Sequence, residues 1–123
     1  MRPPFISVVM NCFNGEAFLR EAVQSVLNQN FDDWELIFWD NQSTDSSAEI
    51  ISSFEDSRIK YFFAEKHSEL GVARNNAFQK TSGQWVAFLD TDDIWVPTKL
   101  DEQVRIIKHS SSKLGLIYSR CEF

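Results

Sequence analysis

Trp85-Val86-Ala87-Phe88-Leu89-Asp90-Thr91-Asp92-Asp93 is the stretch that decides the fold. An apolar run leads directly into three carboxylates. Such a run, closed by polar residues, predicts a strand buried on both faces, as inside a parallel sheet. Asp90, Asp92 and Asp93 then stand at its carboxyl end, where open α/β sheets place their ligands. Two unit negative charges about 4 Å apart repel by roughly 4 kcal/mol at an effective dielectric near 20. The cluster therefore attracts a cation. Oxygen-only ligands suit a hard divalent ion, Mg²⁺ or Mn²⁺, which commonly comes with phosphate. The plainer alternative is that Asp92 or Asp93 caps the next helix. That accounts for one aspartate and not for three.

Upstream of this stretch the chain alternates between two periodicities. Phe5 to Met10 is β-branched and apolar, and reads as a central strand ending in the polar turn Asn11-Cys12-Phe13-Asn14-Gly15. Phe18, Leu19, Ala22, Val23, Val26 and Leu27 recur at helical spacing, with Glu16 and Glu21 near the positive end of that helix. Trp34 to Trp39 is a second buried strand with Asp40 at its end, followed by a turn rich in N-cap residues and a short helix carrying Ile50, Ile51 and Phe54. Ile59 to Phe63 is a third strand. A polar loop then leads to a helix beginning at Gly71, which Gly83 is expected to terminate in the left-handed conformation. Downstream, Pro97 suits the first turn of a helix striped by Leu100, Val104 and Ile107, and Leu114 to Tyr118 reads as a fifth strand. Strands alternating with helices imply an α/β fold: a mostly parallel sheet with helices on both faces. Loops from separate strands meet where the strand order reverses, and a cleft opens there.

The totals agree with one globular domain over 1–123. The 123 residues are 43% hydrophobic, with eleven Phe and four Trp to fill a core. A net charge of −6 argues against nonspecific nucleic-acid binding, which needs a basic face. No apolar run is long enough to span a bilayer. Cys12 and Cys121 match no zinc spacing and read as free thiols in a reducing, cytoplasmic compartment. Neither a G-x-G-x-x-G after the first strand nor a P-loop is present, so a nucleotide must be held some other way.

Five linked motifs resemble family 2 glycosyltransferases. They are Ser7-Val8-Val9-Met10-Asn11-Cys12-Phe13-Asn14-Gly15, Ser25-Val26-Leu27-Asn28-Gln29, Trp39-Asp40-Asn41-Gln42-Ser43-Thr44-Asp45, Gly71-Val72-Ala73-Arg74-Asn75 and Phe88-Leu89-Asp90-Thr91-Asp92-Asp93. They cover nearly the whole chain in the family's order. The resemblance implies the Rossmann-like, nucleotide-binding half of a GT-A fold. It also implies transfer of a sugar, often UDP-linked, to an acceptor hydroxyl with inversion, in cell-surface polysaccharide assembly. The acceptor would be a saccharide or a lipid-linked saccharide, reached from the cytoplasm or the inner membrane face.

The resemblance further implies a nucleotide contact set of Cys12, Phe13, Asn14, Asp40, Asn41, Arg74, Asp90 and Thr91, with Asp90 and Asp92 as metal ligands. Phe13 replaces the usual base-stacking tyrosine and keeps its ring face; the alternative is a core Phe. Asp40 matches the acidic position that hydrogen-bonds the base, and Asn41 stands where relatives carry a second Asp, so either can be the residue that touches it. Arg74 suits base carbonyls or phosphate; the alternative is a surface Arg paired with a nearby carboxylate. Asp93 supports the metal or caps the following helix. The family's general base lies downstream of the D-x-D. Among Leu114 to Phe123 the one carboxylate is Glu122, and it reads as a loop residue. No catalytic base is therefore assigned. His67 and His109 read as surface residues. The chain is expected to be the donor-binding part of a longer enzyme, able to hold a nucleotide without transferring a sugar, and to self-associate through an exposed edge. Two rivals remain. A response-regulator receiver needs an acidic pair after the first strand and a Lys after the fifth, and this chain shows Asn11-Cys12-Phe13-Asn14 and Ser119-Arg120-Cys121. A nucleotide-binding module that never catalyses is the other.

Overall fold

Among the described residues four strands form one sheet, and all its pairings are parallel. They are β1 (Ile6–Cys12), β2 (Trp34–Asp40), β3 (Ile59–Phe63) and β4 (Trp85–Phe88), in the order β3-β2-β1-β4. This computed structural model describes residues 2–110 and residue 115. The fifth strand expected at Leu114 to Tyr118, and also Cys121 and Glu122, lie outside the described residues. The helices are α1 (Leu19–Leu27), α2 (Ser47–Ser52), α3 (Leu70–Phe78) and α4 (Lys99–His109).

Why β1 and β2 are almost wholly apolar follows from the layers. Successive side chains of a strand point to opposite faces, and here each face meets a helix. Val8, Met10, Leu36 and Phe38 pack with Leu19, Ala22, Val23 and Val26 of α1, Ile51 of α2, and Leu100 and Val104 of α4. Val9, Ile37 and Trp39 pack on the opposite face with Ala73 and Ala77 of α3. The small alanines let α3 sit close to the sheet. Each fully buried Val or Leu stabilises the fold by about 1.5–3 kcal/mol relative to leaving it exposed.

β4 departs from expectation. It is partly buried and its Phe88 is exposed, because among the described residues its one hydrogen-bonded neighbour is β1. Among the described residues the apolar run therefore lies at the edge of the sheet.

Two punctuation residues also act differently from the sequence reading. Helix α3 ends at Phe78 with Gln79 as its cap, and no glycine has a positive φ. Gly83 is instead a close-approach residue: a Cβ there would lie 2.7 Å from the Ser7 backbone N and Oγ. Its N–H donates to Ser7 Oγ at 2.8 Å. Pro97 lies ahead of α4 rather than in its first turn, since Thr98 is the N-cap and Lys99 the first helical residue. The Pro97 carbonyl accepts from Asn30 N–H and so ties this turn to the end of α1.

The polar side chains of the α3 face are joined to one another. Glu35 is buried within β2 and accepts hydrogen bonds from Ser7 Oγ, from Ser82 N–H at 2.7 Å, from Ser82 Oγ at 3.0 Å and from Lys60 Nζ at 2.8 Å. One carboxylate thereby links β1, β2, β3 and the turn that leads into β4.

Candidate functional site

The strand order runs from β1 outward to β2 and β3, then returns to place β4 on the other side of β1. The reversal at β1 marks the carboxyl ends of β1 and β4 as the place where open α/β sheets bind ligands. Four loops gather at this rim, and their sequences explain why they hold their shape.

The loop after β1 is braced by the loop after β2. Asn14 has φ 51°, in the left-handed region that asparagine tolerates better than most residues. Its Oδ1 accepts from Thr44 N–H at 2.7 Å and Asp45 N–H at 3.3 Å, while its own N–H donates to Ser43 Oγ. Asp45 and Glu16 reciprocate: Glu16 N–H donates to Asp45, and Ser46 N–H donates to Glu16. Asp45 also accepts from Ser47 N–H near the start of α2. Desolvation pushes the Asp45 carboxyl up, but its hydrogen bonds from Ser47 and Glu16 together outweigh that and hold it below the ordinary value. Gly15 lets the same loop touch the acidic one, since a Cβ there would lie 2.9 Å from Thr91 Oγ1 and 3.2 Å from Cys12 Sγ.

The acidic tip lies just past β4. Asp90, Asp92 and Asp93 are all exposed, and one ligand atom from each falls within 4.8 Å of the others. Neither Asp92 nor Asp93 caps α4, whose N-cap is Thr98. Asp93 N–H closes a turn onto the Asp90 carbonyl at 3.1 Å, and this curls the carboxylates together. The Asp93 carboxyl is pushed above its ordinary value by desolvation and by the charges of Asp92 and Asp90. Hard oxygen donors, convergence and mutual repulsion together fit a divalent cation. Sequence reasoning named Asp90 and Asp92 as ligands and left Asp93 between two roles; the geometry brings all three together.

Arg74 sits in the middle of α3, and its guanidinium lies 3.6 Å from Asp90. The carboxylate it pairs with is therefore one of the acidic tip. Both partners are about half exposed or more, so the pair is weak and open to exchange with an anionic ligand.

The remaining residues of the expected contact set divide into exposed and buried. Phe13 is 53% exposed, which excludes the core alternative. Cys12 is buried and free, its Sγ 3.7 Å from Ser43 Oγ. Asp40 is fully buried at the end of β2: one oxygen accepts Ser43 N–H at 2.7 Å and the other accepts the Tyr61 hydroxyl at 2.6 Å. Burial, and then this bond to the Asp40 carboxylate, raise the Tyr61 hydroxyl far above its ordinary value. Asn41 is buried as well, and its amide donates to Ser68 O and accepts from Ser68 N–H.

His67 reads as a surface residue in the sequence. It is exposed, as expected of a surface histidine, yet its ring lies 4.6 Å from that of Phe13, tilted by 60°.

Comparison with known proteins agrees with this geometry. The Glycosyl transferase family 2 model matches residues 7–119. The chain is 37% identical over 110 residues to the putative teichuronic acid biosynthesis glycosyltransferase TuaG of Bacillus subtilis, covering 88% of this chain and 44% of TuaG. It is 37% identical over 102 residues to the Escherichia coli UDP-Glc:alpha-D-GlcNAc-diphosphoundecaprenol beta-1,3-glucosyltransferase WfgD, covering 83% of this chain and 40% of WfgD. The chain thus spans less than half the length of these curated relatives. Among solved structures, S. aureus TarS 1–349 in complex with UDP superposes with a TM-score of 0.80 at 27% identity, over 84% of this chain and 32% of that one. The Pyrobaculum calidifontis mannosyltransferase PcManGT, in complex with GDP-Man and Mn²⁺, shares the fold with a TM-score of 0.77 at 18% identity, over 87% of this chain and 33% of that one. These matches set the receiver alternative aside. A parallel sheet reversing at β1, with an acidic tip beside the reversal, is the GT-A arrangement, and the chain belongs to glycosyl transferase family 2.

Proposed function

We propose that this chain is the donor-binding part of an inverting, metal-dependent glycosyltransferase of cell-surface polysaccharide synthesis. The observation that carries the reading is the convergence of Asp90, Asp92 and Asp93 within 4.8 Å at the strand-order reversal, with no helix for them to cap. The name of WfgD, a UDP-glucose-dependent enzyme acting on a lipid-linked acceptor, supports a UDP-sugar donor and an acceptor hydroxyl of that kind. TuaG supports the polysaccharide setting.

Each residue then has a part. Asp90, Asp92 and Asp93 hold Mg²⁺ or Mn²⁺. When bound, the ion supplies charge compensation for a diphosphate as it departs from the sugar carbon. Arg74 leaves its loose pairing with Asp90 for the nucleotide. Phe13 offers its exposed ring to the nucleobase. Thr91, packed on Gly15, holds the acidic tip against the β1 loop. Cys12, Asn14, Asp40 and Asn41 brace the loops on which the contacts stand. Acceptor binding and removal of the acceptor proton belong to the whole protein, so this chain by itself holds a nucleotide sugar without transferring it. Among the described residues no helix is long and apolar enough to cross a membrane, and the lipid-linked acceptor would be met from the membrane surface.

Calorimetric titration tests the reading. UDP is expected to bind in the presence of Mn²⁺ or Mg²⁺ and to lose binding on addition of chelator. Asp92→Ala should weaken the binding that the metal supports. Binding that ignores metal would defeat it.

A further inference from the structure

We propose that His67 reads the nucleobase, accepting a hydrogen bond from a ring N–H and thereby selecting uracil over cytosine. The inference rests on the nucleotide reading above and adds a specificity determinant that the sequence motifs do not contain.

Three observations carry it. First, the two side chains at the motif position for base recognition are already engaged. Asp40 is fully buried with one oxygen on Ser43 N–H and the other on Tyr61. Asn41 has its carbonyl and its amide nitrogen on the backbone of Ser68. An aspartate at 41 could not donate to the Ser68 carbonyl; an asparagine satisfies both groups of that residue at once. Asn41 thereby clamps the loop that carries His67.

Second, the clamp sets the imidazole's tautomer. His67 Nδ1 lies 3.0 Å from the Asn41 carbonyl oxygen. A carbonyl only accepts, so Nδ1 carries the hydrogen, and in the neutral ring Nε2 keeps a lone pair. That acceptor is on the far side of the ring from the clamp.

Third, the ring stands where a base would lie. Phe13 and His67 meet with centroids 4.6 Å apart at 60°, as two walls of a corner, and Phe13 keeps half its surface open. A pyrimidine stacked on Phe13 brings its edge to His67. Uracil presents N3–H to that lone pair, whereas cytosine presents a second lone pair.

The test titrates UDP and CDP into the chain with Mn²⁺ at mildly alkaline pH, where imidazoles are neutral. UDP should bind roughly tenfold more tightly than CDP. His67→Ala and His67→Phe should both bring that ratio close to one. The phenylalanine keeps a ring against Phe13 and removes only the nitrogen acceptor, so it separates hydrogen bonding from packing. Inorganic pyrophosphate with Mn²⁺ should bind the wild type and both variants alike, showing that the variants are folded and the phosphate side intact. In a selectively labelled sample, the ¹⁵N signal of His67 Nε2 should move on adding UDP and not on adding CDP. A wild-type ratio near one, or a ratio preserved in His67→Phe, overturns the inference while leaving the nucleotide reading standing. If neither nucleotide nor pyrophosphate binds with metal, the nucleotide reading itself falls and takes this one with it.

Discussion

Single residues in this chain act through how their polar atoms are satisfied. Glu35 shows it away from the cleft. Burial pushes its carboxyl up, but the hydrogen bonds from Lys60, Ser7 and Ser82 outweigh that and hold it below the ordinary value of 4.5. A carboxylate depressed in the folded state stabilises fully above its unfolded value, and this contribution is lost as pH falls through the folded one. Acid unfolding followed by circular dichroism should therefore show stability declining below pH 4.5, and Glu35→Gln should flatten that decline. At neutral pH the same variant should cost about 2 kcal/mol in urea unfolding, because a buried site built around a charged acceptor loses its charge. The acidic tip follows opposite logic: desolvation and the neighbouring charges of Asp92 and Asp90 push the Asp93 carboxyl up, so gathering these exposed carboxylates does not stabilise the fold.

At the scale of elements, the layers were legible because periodicity reports burial. The two central strands read as continuous apolar runs and are covered on both faces. Helix α1 read as an amphipathic stripe, and that stripe is buried against the sheet. Glycine roles were not legible in the same way. Gly83 follows a helix, as a C-terminal cap would, but it serves the packing of the α3–β4 turn onto β1. Gly83→Ala should therefore destabilise the chain by about 1–3 kcal/mol in urea unfolding, through overpacking rather than through a strained φ. Gly71 offers a contrast, since a Cβ there meets open space. Gly71→Ala should leave stability unchanged or slightly improved, as expected for alanine replacing glycine inside a helix.

For the molecule as a whole, the informative feature is what the sheet leaves open. Among the described residues β4 pairs with β1 alone, and Phe88, Ile94 and Val96 are exposed on and beyond it. A strand edge with no partner among the described residues, beside apolar side chains, favours pairing with another chain. Sedimentation velocity should show reversible self-association that grows with protein concentration, and Phe88→Lys should weaken it. A monomer across the whole concentration range would mean that this edge is not adhesive.

The sequence by itself determined the layered α/β architecture, the order of its elements and the carboxylates that suit a metal, because periodicity, burial and charge are properties of neighbours along the chain. Only the tertiary structure decided that β4 is the outermost of the described strands, that Asp40 and Asn41 are buried, and that His67 packs against Phe13. Those facts depend on which atoms from distant loops reach the same hydrogen-bonding partner first. A carboxylate or an amide at a strand end reads alike in sequence whether it faces a ligand or a buried backbone.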